Sequence, residues 1–171
     1  MRTNFTHHSL LALTLALATL APTAQADSGR LLPRDVPAAY RQECAACHTA
    51  YPPGMLPAAS WQRIMSGLDR HYGSDAALDP ATVKALSTWL LTNAGSYKRV
   101  SETPPQDRIT RSLWFERKHR RIDAMVWTAA SVKSAANCAA CHSRADHGDY
   151  EDDSLRLPTG LDTRLRGAWT H

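Results

Sequence analysis

The sequence predicts an all-α chain of short helices and long loops, on three observations. Ten prolines among 171 residues cut the chain into short segments. Between them the Ala- and Leu-rich stretches carry apolar residues at helical spacing, and no βαβ pattern is present. Two copies of one five-residue motif, Cys44-Ala45-Ala46-Cys47-His48 and Cys138-Ala139-Ala140-Cys141-His142, sit far apart in the chain, so the segments between them must wrap round whatever the motifs hold.

Each motif is C-x-x-C-H, the attachment sequence of a c-type heme. Two thiols three positions apart in a helical turn share a face and can add to the two vinyl groups of a porphyrin. The histidine that follows falls under the iron as its first axial ligand. All four cysteines are used in this way. Zinc ribbons space their Cys pairs much more closely, a dithiol redox centre needs a βαβ setting, and disulfides require no histidine after each pair. The fold expected is therefore short helices and long loops wrapped around two covalently attached c-type hemes.

The N-terminus fits that chemistry. Arg2, the apolar run Leu10 to Leu20 and the small-x-small site Ala24-Gln25-Ala26 read as a signal peptide spanning 1-26. The run is too short for a membrane span, and no later stretch reaches about 18 apolar residues. Export to the periplasm and a soluble mature chain are expected. Loss of Arg2 leaves that chain one charge below the +4 of the whole, and four heme propionates offset most of the remainder. Such a balance gives no case for nucleic-acid binding.

Along the mature chain, Asp35 or a neighbour is expected to cap a helix with Pro37 in its first turn, which runs straight into Cys44. Tyr51-Pro52-Pro53-Gly54 is a turn. Ser60 opens a second helix, whose Trp61, Ile64, Met65 and Leu68 form an apolar stripe that His71 continues, with Gly73 as its C-cap. Asp79-Pro80 starts a third helix to about Asn93, with Val83, Leu86 and Leu90 on one face and Gly95 beyond it. A linker follows, dividing a heme 1 domain (27-103) from a heme 2 segment (104-171). Thr110 is expected to cap a helix on which Phe115, His119 and Ile122 share a face. Ala124 to Ala136 reads as helix feeding into Cys138. The acidic run Asp149 to Asp153 has no evident site role. Leu155-Arg156-Leu157-Pro158 is semi-extended, and the tail from Thr159 has no assigned role.

Each iron needs a sixth ligand or stays open. Six histidines and three methionines remain in the mature chain. His71 suits heme 1, because it extends an apolar face where a bare imidazole needs a partner. Met55 and Met65 are rivals. Met65 suits packing better, and Met55 follows its motif too closely to reach the opposite heme face. His119 suits heme 2, beside Phe115 and Ile122. His147 and His171 lie in polar or terminal surroundings. The expected ligand sets are His48 and His71, and His119 and His142: six-coordinate, low-spin, and closed to substrate.

The chain resembles the small bacterial di-heme cytochromes c of the DHC family. The likeness rests on Cys44-Ala-Ala-Cys-His48, Gly67-Leu68-Asp69-Arg70-His71-Tyr72-Gly73 with Ala77-Leu78-Asp79, Trp114-Phe115 leading to Lys118-His119, Ser134-Ala-Ala-Asn-Cys138-Ala-Ala-Cys-His142, and Gly148-Asp149-Tyr150. It covers roughly Pro37 to Pro158. The resemblance implies bis-histidine ligation with His71 and His119 distal. It also implies electron exchange with a redox partner, either an oxygen-binding monoheme cytochrome (Sphaeroides heme protein) or a membrane b-type cytochrome. The function expected is one-electron transfer without substrate turnover. The alternatives are a small di-heme peroxidase or gas-binding protein with one open iron, and a heme-bearing subunit of a respiratory complex. Arg117 to Arg121 brackets His119 with positive charge, suited to heme propionates or to an acidic partner.

Overall fold

The computed structural model describes residues 31–161 and Arg164. The predicted signal peptide and the end of the tail lie outside them. Among the described residues there are five α-helices, short 3₁₀ turns and three isolated β-bridges, with no extended strand. The all-α expectation holds.

α1 (Ala38–Cys44) starts at Pro37, which has no side-chain cap. The expected capping by Asp35 does not occur; its carbonyl instead accepts the indole N–H of Trp89 at 3.0 Å. Tyr40 is the buried residue of α1 and packs on Trp89, ring centres 4.6 Å apart. The helix is expected to carry both thiols, but it ends in Cys44, so only the first is on a rigid element and Cys47 lies in the turn that follows.

α2 (Ala58–Ser66) begins two residues before Ser60 and stops at Gly67. Trp61 and Met65 face inward as the stripe predicts, and the Trp61 indole donates to the Pro53 carbonyl at 2.7 Å. The helix does not run on to Gly73. Gly67 costs helix propensity, and a 3₁₀ turn, Leu68–Arg70, replaces the last turn. His71 therefore leaves the α2 axis.

α3 (Pro80–Thr92) is built as the sequence predicts. The Asp79 carboxylate accepts the N–H groups of Ala81 and Thr82, each at 3.0 Å. Proline sits where its missing N–H has no partner to lose. Leu86 and Leu90 are fully buried. They join Tyr40, Met55, Leu56, Trp61, Met65 and Ile109 in the first core. Each buried Leu contributes about 1.5–3 kcal/mol. Gly95 is obligatory here for a steric reason. A Cβ there would lie 2.6 Å from the Gly54 carbonyl oxygen.

The second half is less regular. α4 (Leu113–His119) is capped by Ser112, whose hydroxyl accepts from the Phe115 N–H at 3.1 Å. Thr110, the expected cap, lies in the preceding 3₁₀ turn Ile109–Arg111. α5 (Ala124–Thr128) is only five residues long, so the helix expected from Ala124 to Ala136 is cut short. Val132 turns fully inward, Lys133 takes a left-handed φ of 71°, and the Asn137 amide donates to the Val132 carbonyl at 3.0 Å. Burying one side chain in a tight turn overrides helical composition. Val126, Val132 and Leu161 form the second core, so the described start of the tail is a docked element.

Several contacts link residues 31–103 to those beyond 104. Arg63 of α2 clasps the Asp107 carboxylate with Nε at 2.9 Å and Nη2 at 2.6 Å. The Leu31 N–H donates to the Gly148 carbonyl at 2.7 Å, where Gly148 has φ +73° and Leu32 fills the space a Cβ would take.

Arg63 holds the Asp107 carboxyl below the usual carboxylate range. A depressed native pKa stabilises fully above the unfolded value, about 3.9, and that contribution is lost as pH falls through the native value. Asp107→Asn is therefore expected to lower the thermal midpoint at pH 7, with the deficit vanishing in acid. Leu161→Ala is expected to cost about 2–5 kcal/mol in denaturant unfolding if the tail docks as described.

Candidate functional site

The four motif cysteines are unpaired, and each motif places its histidine opposite a second one. At the first site His48 faces His71, with ring centres 6.2 Å apart and planes inclined by 22°. At the second, His119 faces His142 at 6.3 Å and 76°. With a metal–nitrogen bond of about 2.0 Å and a ring nitrogen about 1.2 Å from the ring centre, two imidazoles across one ion stand about 6.4 Å apart. Both gaps match. The structure thus brings His48 beside His71 and His119 beside His142.

The first site is built from α1 and the turn after α2. Cys44 is half-buried and burial pushes its thiol up to about 11, while Cys47 is exposed. His48 Nδ1 lies 2.7 Å from the Thr49 carbonyl. A carbonyl only accepts, so Nδ1 carries the proton and Nε2 is left bare to bind a metal. His71 follows the 3₁₀ turn. Tyr72 and Gly73 then adopt left-handed φ of 52° and 98°. That conformation is strained for tyrosine, and Tyr72 is held from outside. Its hydroxyl donates to the carbonyls of Gln106 and Asp107, both at 3.1 Å, and the Arg108 guanidinium lies 4.3 Å over its ring. Tyr72 meets His71 edge-on at 4.9 Å. Burial, then His48, then Arg108 hold His71 below its usual pKa, in the neutral form a metal needs.

The second site has an apolar wall. Phe115 stacks on His119 with planes 22° apart, and Trp127 meets it edge-on at 5.8 Å. One turn back, the Phe115 carbonyl accepts from His119 Nδ1 at 2.8 Å, which again leaves Nε2 bare. His142 follows a 3₁₀ turn, Cys138–Ala140, and its N–H donates to the Cys138 carbonyl at 2.8 Å. Burial, with a smaller contribution from His119, lowers the His142 pKa to about 4. A cavity of about 730 Å³ opens between the two rings, reached by Cys138 and Cys141 and rimmed by Arg117, Lys118, Arg120 and Arg121. Burial pushes both thiols up to about 11.

These residues fit a covalently attached heme at each site. The fit rests on the two metal-width gaps, the bare Nε2 atoms fixed by carbonyl bonds at His48 and His119, and the apolar cavity with thiols inside and cations at its rim. Met55 and Met65 are both buried in the first core, and Met55 also lines the second-site cavity. His147 is exposed and paired with Asp146 at 2.7 Å.

The sequence reading missed three things. Tyr51, taken only as part of a turn, stacks on His48 at 4.7 Å and 18°. Its spacing of three from His48 was the available signal. Tyr150 packs against His142 at 5.1 Å, and its hydroxyl and His142 Nδ1 are buried without protein partners. Residues 154–156 run beside the second motif: Ser143 N–H donates to Ser154, and Arg156 N–H to Cys141 at 2.8 Å. Nothing local announced that pairing.

Comparison with known proteins points to one family. The dihaem cytochrome c family matches residues 40–150. A diheme cytochrome c from Shewanella baltica aligns with TM-score 0.63 and 31% identity, covering 72% of this chain and 96% of that one. Rhodobacter sphaeroides DHC gives 0.59 and 39%, covering 70% and 99%. A second Rhodobacter sphaeroides diheme cytochrome c structure gives 0.61 and 36%, covering 70% and 98%. No curated protein matches.

Replacing Cys138 and Cys141 together by alanine is expected to leave one covalent heme per chain by mass spectrometry. Two retained hemes would contradict the attachment.

Proposed function

The chain belongs to the dihaem cytochrome c family, and on that footing we propose that it carries single electrons in the periplasm through two hemes, each held on both faces by imidazole. Membership makes it a heme-binding electron-transfer protein with two c-type hemes. The ligand sets proposed are His48 with His71 and His119 with His142. The observation that carries this reading is the pair of ring separations, 6.2 and 6.3 Å, each the width of one metal ion between two imidazoles.

The bound hemes supply reversible one-electron exchange between ferric and ferrous iron. The protein's residues decide what else is possible. Cys44, Cys47, Cys138 and Cys141 tether the groups so that they cannot dissociate between partners. His71 and His119 fill the position where a substrate would bind. Histidine in place of a methionine sulfur also keeps the potential low. Phe115 and Trp127 hold His119 at its post, which limits rearrangement when the charge on the iron changes. Among Arg117, Lys118, Arg120 and Arg121, at least one is assigned to a heme propionate, since guanidinium meets carboxylate in a two-pronged bond. The others present positive charge to an acidic redox partner. An oxygen-binding monoheme cytochrome or a membrane b-type cytochrome is the proposed partner class. The basic start, apolar run and small-x-small site of the N-terminus support export.

Electron paramagnetic resonance tests the ligand sets. The oxidised protein is expected to show two low-spin signals of different shape. Near-parallel imidazoles at heme 1 give a rhombic signal, and near-perpendicular ones at heme 2 a more anisotropic signal at larger g. His71→Ala is expected to abolish the first and His119→Ala the second, each producing high-spin iron. An unchanged spectrum in either variant would contradict that ligand.

A further inference from the structure

We propose that Tyr51 is the element that couples the two heme sites. Its ring lies flat on the His48 imidazole, centres 4.7 Å apart and planes inclined by 18°. Its hydroxyl reaches across the molecule to donate to the Ala136 carbonyl at 2.7 Å. That same carbonyl accepts the N–H of Cys138 at 3.0 Å. One oxygen, with two lone pairs, thus joins a side chain stacked on the first motif's histidine to the backbone of the second motif's first cysteine.

Tyr51 is fixed at its other end as well. Its carbonyl accepts the hydroxyl of Tyr40, which stands in α1 four residues before Cys44. The bridge passes through one ring stack and two hydrogen bonds. Such contacts transmit an electron better than the same distance across space. They also fix where the second motif sits relative to the first.

The step is a single electron transfer. The ferrous iron of one site becomes ferric, the ferric iron of the other becomes ferrous, no covalent bond changes and no proton moves. The proposal rests on the reading above, that His48 serves heme 1 and Cys138 anchors heme 2. Tyr97, 75% exposed on the surface, serves as the control.

The test is the rate of electron exchange between the hemes of the half-reduced, full-length holoprotein, measured by NMR exchange spectroscopy. Tyr51→Phe keeps the ring and removes the hydroxyl. It is expected to slow exchange several-fold while both hemes stay low-spin, and Tyr97→Phe is expected to leave the rate unchanged. Tyr51→Leu removes the ring too. It is expected to slow exchange further and to shift the midpoint potential of heme 1 alone. A wild-type rate in Tyr51→Phe, or equal slowing in Tyr97→Phe, overturns the proposal. High-spin iron in the unmutated protein would instead mark failure of the ligand reading, a distinct result.

Discussion

Two imidazoles held opposite one another at the width of a metal ion are the constraint on which this structure depends. The pairs stand at 6.2 and 6.3 Å, and each ring is fixed there by its own supports. At the first site that support is α1 below and the left-handed turn Tyr72–Gly73 above, pinned by the linker at Gln106 and Asp107. At the second it is α4, whose Ser112 cap, Phe115 stack and Phe115 carbonyl all act on the same helix that ends in His119. Short helices suffice because each needs only to aim one histidine.

The sites differ in how they are held. The first leans on a regular core in which α2 and α3 bury Trp61, Met65, Leu86 and Leu90. The second has a smaller core of Val126, Val132 and Leu161, and depends more on neighbours that arrive from elsewhere in the chain. Residues 154–156, the Leu31–Gly148 bond and the Tyr51–Ala136 bond supply them. A segment with so small a core gains much of its order from such ties and from the group it binds. The contrast in ring planes, 22° against 76°, follows from these different supports.

Much of the site was legible in the sequence because the chemistry is encoded locally. C-x-x-C-H needs no tertiary context, and few histidines were left to complete each iron. His71 and His119 are singled out by the apolar residues beside them. The errors were all in local structure under tertiary control. Gly67 ends α2, so His71 arrives by a turn that the apolar stripe could not reveal. Ser112 caps α4 instead of Thr110. Ala124 to Ala136 breaks where Val132 turns inward. The Tyr51–Ala136 bond and the pairing of residues 154–156 escape the sequence because those partners lie elsewhere along the chain, where no periodicity points to them.

The claim that both irons are gripped from both sides by imidazole meets its most direct test in carbon monoxide. The absorption spectrum of the fully reduced protein should be unchanged when the gas is added, because neither iron has a position to offer. A prompt shift of the Soret band would show that one of them does, and the closed-site account would fail.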